Sequence, residues 1–166
     1  MNSNNIGMFG LLNDIFKNRQ IINNLVDISV HLVVAAAGAC AIYLNSGSLL
    51  YASLFVAGGI LIDLDHLVDY FIYFKKGFDP KIFFGNHYLL SGKVYIFLHS
   101  WEVVFSIFIL GFLLGSYSVL ALASGLAIHV ATDSIMRRNA LMYFLTFRLA
   151  KRFDMKLIMR PSRDKI

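Results

Sequence analysis

Four stretches of this chain are too apolar to be left in water and too numerous to be hidden in one aqueous core. They run over residues 28–44, 49–74, 94–114 and 119–136, each near the ~20 residues that a helix needs to cross a bilayer. Hydrophobic residues make up 58% of the 166-residue chain and charged residues only 15%, against about 45–50% and about 25% in an ordinary soluble domain. A soluble domain of this size could not bury so much apolar surface. The same balance excludes disorder and collagen-like fibres, and a lone Cys40 excludes a disulfide scaffold. The expected fold is all-α: an integral membrane four-helix bundle forming a single domain over 1–166.

The connections fit that expectation. Asn45-Ser46-Gly47-Ser48 and Gly115-Ser116-Tyr117-Ser118 read as tight polar turns, each closing an antiparallel helix pair. Gly and Ala recur in the first, second and fourth stretches and let helix backbones approach closely in lipid. A longer irregular loop, 75–93, separates the pairs. Residues 8–25 and 139–159 mix apolar with basic and amide side chains, and are expected as amphipathic helices lying in the interface.

Charge sets the expected orientation. All 15 Lys and Arg lie in the N-terminal segment, the loop or the C-terminal segment, and neither tight turn has one. By the positive-inside rule both termini and the loop face the cytoplasm, in a multi-pass protein of the inner (cytoplasmic) membrane. The net charge of +5 is then a matter of topology and lipid head groups. Basic motifs interleaved with aromatics are absent, so no nucleic-acid partner is expected.

Ionisable side chains inside spanning helices are costly and mark function. Here they fall at one depth. The first helix has Asp27 and His31 near its start, and the second has Asp63, Asp65, His66 and Asp69 near its end. The third has His99 and Glu102 near its start, and the fourth has His129 and Asp133 near its end. Antiparallel packing brings all four groups to the cytoplasmic side, and the opposite halves have no Asp, Glu, His, Lys or Arg. Asp27/His31 and His129/Asp133 are i,i+4 pairs, and His99/Glu102 is an i,i+3 pair, so each shares a helix face. The four ionisable residues of the second helix cover an arc of roughly 160° at 3.6 residues per turn. Imidazoles and carboxylates presented together from facing helices supply what a divalent metal needs. The expected ligands are His31, Asp63, Asp65, His66, His99, His129 and Asp133.

At these residues the chain resembles the family of bacterial and archaeal inner-membrane metal-dependent hydrolases, the family of the LexA-regulated inner-membrane hydrolase. Its pattern is an early helical His, then Pro-Asp-x-Asp-His, then His-Ser opening a helix, then His with Asp four residues on. The chain presents His31, Ile62-Asp63-Leu64-Asp65-His66, His99-Ser100 and His129-Val130-Ala131-Thr132-Asp133 in that order. The resemblance covers about residues 28–135. Ile62 stands in place of the proline, and the Arg-Gly that often precedes His-Ser is missing. The resemblance implies a membrane-embedded, metal-dependent hydrolase.

Seven donors exceed the four of a closed tetrahedral zinc site. A two-ion centre with a bridging Asp fits better, and such centres clamp both oxygens of a phosphoester displacement. Zinc suits the donors, and manganese and iron stay open. Glu102 is the candidate general base or proton shuttle, and Asp69 is a second candidate catalytic carboxylate. Lys75, Lys76, Lys93, Arg137 and Arg138 border the expected mouth and could hold phosphate. The expected substrate is a phosphoester of a lipid or another membrane-associated small molecule at the cytoplasmic leaflet. The alternative is a non-catalytic metal-binding or metal-transporting membrane protein. Transport should leave ionisable residues along the outer half of some helix, where none occur.

Overall fold

The computed structural model describes residues 3–74, 77–85, 91–137 and 139–159. Lys75, Lys76, His87 and Arg138 lie outside the described residues. The helices are α1 (Ser3–Ser46), α2 (Leu49–Leu61), α3 (Leu64–Tyr73), α4 (Pro80–Gly85), α5 (Trp101–Leu113), α6 (Tyr117–Met136), a 3-10 turn (Ala140–Tyr143), α7 (Leu145–Ala150) and α8 (Met155–Ile158). Among the described residues the only extended pairing is a single bridge between Lys93 and Asp154.

The segments Leu25–Ser46, Leu49–Tyr73 and Tyr117–Met136 are helices long and apolar enough to cross a membrane. The fourth expected crossing is shorter. α5 has 13 residues, about 20 Å at 1.5 Å per residue, against a hydrocarbon core of about 30 Å.

Close contacts divide the chain into two compact units, Met1–Val34 and Ala35–Ile166. No boundary separates an N-terminal helix from the first span, because α1 runs unbroken from Ser3 to Ser46. Residues 20–30 contain neither Gly nor Pro, so nothing in them interrupts the backbone ladder.

In the second unit, α2 and α6 cross at glycine. A Cβ on Gly58 would strike the Leu122 carbonyl, and one on Gly125 would strike the Phe55 carbonyl. Only hydrogen at these two positions lets the backbones meet. The turns before α2 and α6 are closed as expected. Ser48 Oγ accepts the Tyr51 N–H at 3.3 Å and Ser116 Oγ accepts the Val119 N–H at 3.4 Å, satisfying donors at each helix start.

The second long helix is not continuous. Between α2 and α3 the backbone tightens to i→i+3 bonds: Asp63 N–H to Ile60 O at 3.2 Å, Asp65 N–H to Ile62 O at 3.0 Å, and His66 N–H to Asp63 O at 3.1 Å. Such local overwinding re-aims the side chains around it. Asp63 sits at the tightened point.

The third helix begins at Trp101 rather than near residue 94. The reason is competition for backbone donors. Asp69 Oδ1 accepts the Tyr95 N–H at 3.1 Å, and Asp65 Oδ2 accepts those of Leu98 at 2.6 Å and His99 at 3.2 Å. Donors committed to carboxylates cannot enter a helical ladder.

The C-terminal segment also differs from expectation. In place of one amphipathic helix over 139–159 there are three short pieces, separated at Phe144 and at Arg152-Phe153. Arg152 and Phe153 both take positive φ, 53° and 57°, which no L-residue helix accommodates. Met142, Tyr143 and Ile158 are buried in one cluster with Ile62, Val94, Ile96, Val104, Leu126 and Val130. The segment is fastened to residues 92–94 by Val94 N–H to Phe153 O and Met155 N–H to Gly92 O, both 3.0 Å.

Candidate metal centre

The close crossing of α2 and α6 places His129 one turn beyond Gly125, against the backbone of α2. His129 Nδ1 lies 2.7 Å from the carbonyl oxygen of Gly59. A carbonyl only accepts, so Nδ1 bears the hydrogen, and in the neutral ring Nε2 keeps its lone pair. His99 is set in the same sense by a carboxylate. Its Nδ1 lies 3.4 Å from Asp65 Oδ2, and its buried Nε2 makes no hydrogen bond among the described residues.

These lone pairs face one carboxylate. Asp63 Oδ1 lies 3.4 Å from His129 Nε2, 3.5 Å from His99 Nε2 and 3.8 Å from His66 Nε2. Direct hydrogen bonds from nitrogen to oxygen cluster at about 2.7–3.2 Å. Two ligands on a tetrahedral ion with bonds of 2.0–2.1 Å sit about 3.3–3.4 Å apart, so the His129 and His99 spacings match shared coordination better than pairwise bonding, and His66 stands a few tenths of an ångström farther off. The ligand atoms of Asp63, His66 and His99 all fall within 4.8 Å of one another. The His99 ring centroid lies 4.8 Å from that of His66 and 5.2 Å from that of His129.

The donor set therefore fits a divalent ion: two imidazoles held at Nδ1, a third from His66, one carboxylate, and a buried His99 ring nitrogen that makes no hydrogen bond among the described residues. Access is one-sided. The Asp63 side chain is 54% exposed while those of His99 and His129 are 1% and 3% exposed, so the cluster opens through Asp63.

Asp65 is buried behind His99, holding its ring and its backbone. Asp133 is buried beside His129, with Oδ2 4.0 Å from Nε2 and Oδ1 3.9 Å from Arg137 Nε. Asp69 is buried and holds the Tyr95 N–H; it positions the 94–100 segment rather than the reacting centre. His31 belongs to the first unit, where its Nδ1 lies 2.9 Å from the Asp27 carbonyl oxygen, the same arrangement as in His129.

Two expectations need correction. Glu102 does not face the histidines. Its carboxylate accepts the N–H groups of Leu145 at 2.8 Å and Thr146 at 2.9 Å, and the Thr146 hydroxyl at 2.7 Å. Those are the unsatisfied donors of the α7 N-terminus, for which an anionic acceptor is favourable. Lys93 does not reach outward as an anion ligand, because its Nζ donates to the Arg152 carbonyl at 3.0 Å. Of the other expected phosphate ligands, Arg137 lies beside Asp133, with Nε 3.9 Å from Oδ1, and Lys75, Lys76 and Arg138 lie outside the described residues.

Gly59 and Arg148 were not among the expected site residues, and Ser100 entered only through the His-Ser element. Gly59 fixes the His129 tautomer through its carbonyl. Ser100 donates to the Phe97 carbonyl and accepts from Arg148. Arg148 is fully buried. It had a visible signal, falling three residues after Leu145 and four after Phe144 on the apolar stripe of its helix.

No protein-family model matches the chain, and neither does any curated protein or solved structure.

Proposed function

We propose that the chain is a membrane-embedded metal-dependent hydrolase. It acts on a phosphoester of a lipid or another membrane-associated substrate, and it works at the cytoplasmic face of an inner membrane. The observation that carries the reading is the common orientation of His99 and His129, each tied down at Nδ1 with Nε2 turned toward Asp63. Carboxylate–histidine–metal and carbonyl–histidine–metal arrangements orient ligands in this way. Asp63, His66, His99 and His129 would hold the ion, with zinc the best match to three nitrogens and one oxygen. A second ion on the Asp133 side belongs to the same reading, with Asp63 as the shared carboxylate.

When bound, a divalent ion supplies Lewis acidity and lowers the pKa of an attacking water. The chain's own residues do the rest. Asp63, the exposed carboxylate of the group, would hold the ion at the mouth. Asp65 keeps the His99 ring in register, and Asp69 keeps the segment that bears it extended. The lipid assignment rests on the helices that present the site, which are apolar enough to cross a membrane, and Ile60, Leu61, Leu64 and Val68, within five residues of Asp63 along the chain, expose apolar surface. The fourth crossing in this reading is α5 together with the extended residues 94–100.

Turnover of a panel of phosphoester lipids by detergent-purified protein tests the function. Release of phosphate or head group that is lost in Asp63→Ala supports hydrolysis. Stoichiometric metal with no turnover on any lipid would leave a binding protein.

A further inference from the structure

Buried cations demand an explanation, and this chain has one that the metal reading leaves unused. The Arg148 side chain is fully buried, yet among the described residues its guanidinium forms no ion pair within 4 Å. Its three acceptors are all neutral. Nη1 donates to the Ile96 carbonyl, and Nη2 donates to the His99 carbonyl at 3.3 Å and to the Ser100 hydroxyl. All three acceptors lie within the extended 94–100 segment that delivers His99. Burial draws the guanidinium pKa below its usual value, against the pull of Asp65, Glu102, Tyr143 and Asp69.

We propose that Arg148 is a positioning residue for the metal centre, with its guanidinium clamping the carbonyls on both sides of the His99 turn so that His99 Nε2 stays aimed at Asp63. The proposal rests on the metal reading and deepens it. The carbonyls of Phe97, Leu98 and Ser100 accept from Ser100 and Val104, and those of Ile96 and His99 take their donors from Arg148. Asp65 and Asp69 take the N–H groups on one side of the segment, and Arg148 takes the carbonyls on the other. The segment is thereby held from two directions, one of them the C-terminal segment beyond the last long helix. The planar fork of an arginine suits this task, because it reaches several acceptors in fixed geometry where a lysine is a point charge. The clasp between 92–94 and 153–155 holds the same two segments together nearby, and the left-handed turn at Arg152-Phe153 makes that return possible.

Cobalt(II) titration of the full-length protein in detergent tests the proposal, with the ligand-field bands as a direct view of the coordination. Wild type is expected to bind cobalt with bands that His99→Ala loses. Arg148→Ala is expected to bind at least about tenfold more weakly, the scale seen when groups that orient ligands are removed. Its bands at saturation should be shifted, and methylguanidinium should restore them; Arg148→Lys should recover only part of the affinity. Glu102→Gln loosens the same C-terminal segment without touching the His99 turn and should leave the bands unchanged. Wild-type affinity and bands in Arg148→Ala would overturn the proposal while leaving the metal centre intact. If Arg148→Ala does not fold, Ser100→Ala decides: several-fold weaker binding upholds the clamp, and unaltered binding overturns it. A wild-type protein that binds no cobalt overturns the metal reading, and the clamp with it.

Discussion

One oxygen of Asp65 holds His99 twice, accepting its backbone N–H at 3.2 Å and lying 3.4 Å from its ring Nδ1. The same oxygen accepts the Leu98 N–H at 2.6 Å. A single carboxylate thus shapes the loop, the rotamer and the tautomer of one histidine. Asp65→Ala is expected to leave buried N–H donors without acceptors, at a cost of about 1–3 kcal/mol in stability. Metal affinity should fall by about 10–100-fold. Chemical unfolding and metal titration of the purified variant check both numbers, and an unchanged metal affinity would remove Asp65 from the site.

Glu102 is expected to matter for stability and not for chemistry. Glu102→Ala strips the acceptor from the α7 N-terminus and should cost about 1–2 kcal/mol, the range of a lost helix cap. Metal content should stay at the wild-type level. Turnover that collapses while thermal stability holds would return Glu102 to the role of proton acceptor.

Gly125→Ala tests how the α2–α6 crossing builds the site. The added methyl would meet the Phe55 carbonyl, and would lie 3.0 Å from the Gly59 nitrogen, so the helices must part. Overpacking of this kind costs about 1–3 kcal/mol. Because the Gly59 carbonyl holds His129 Nδ1, metal affinity should fall together with stability. Loss of stability with full metal affinity would separate the crossing from the site.

Chelation should destabilise the fold. An ion that binds the native state alone contributes about 2.7 kcal/mol at a hundredfold excess over its Kd. Removal of metal with a strong chelator is therefore expected to lower the midpoint of thermal unfolding, and zinc should restore it. An unmoved midpoint would show that no bound ion supports the structure.

Much of this was legible before any coordinates. Hydropathy marked three of the crossings closely, since a ~20-residue apolar run has few other fates. The His and carboxylate spacing pointed to seven donors, His31, Asp63, Asp65, His66, His99, His129 and Asp133, because antiparallel helices carry such groups to a common depth, and the structure sets His66, His99 and His129 around Asp63. The start of α5 was not legible. Residues 94–98 are as apolar as any helix, and only the distant Asp65 and Asp69 draw their N–H groups out of a helical ladder. The fate of Glu102 was equally hidden. Helical spacing places it near His99, but the α7 N-terminus that takes its carboxylate lies more than forty residues on in the chain. Arg148 was visible only as a charge on an apolar stripe, and its partners in 96–100 come from tertiary packing.

The most direct measurement is the metal content of the protein as purified without chelators, by mass spectrometry, with His99→Ala beside it. About one equivalent or more of a divalent transition metal is expected in the wild type, as a folded site with matched ligands retains its ion, and little in the variant. Wild-type protein that is metal-free, and that takes up no zinc, manganese or iron when these are supplied, would contradict the metal reading.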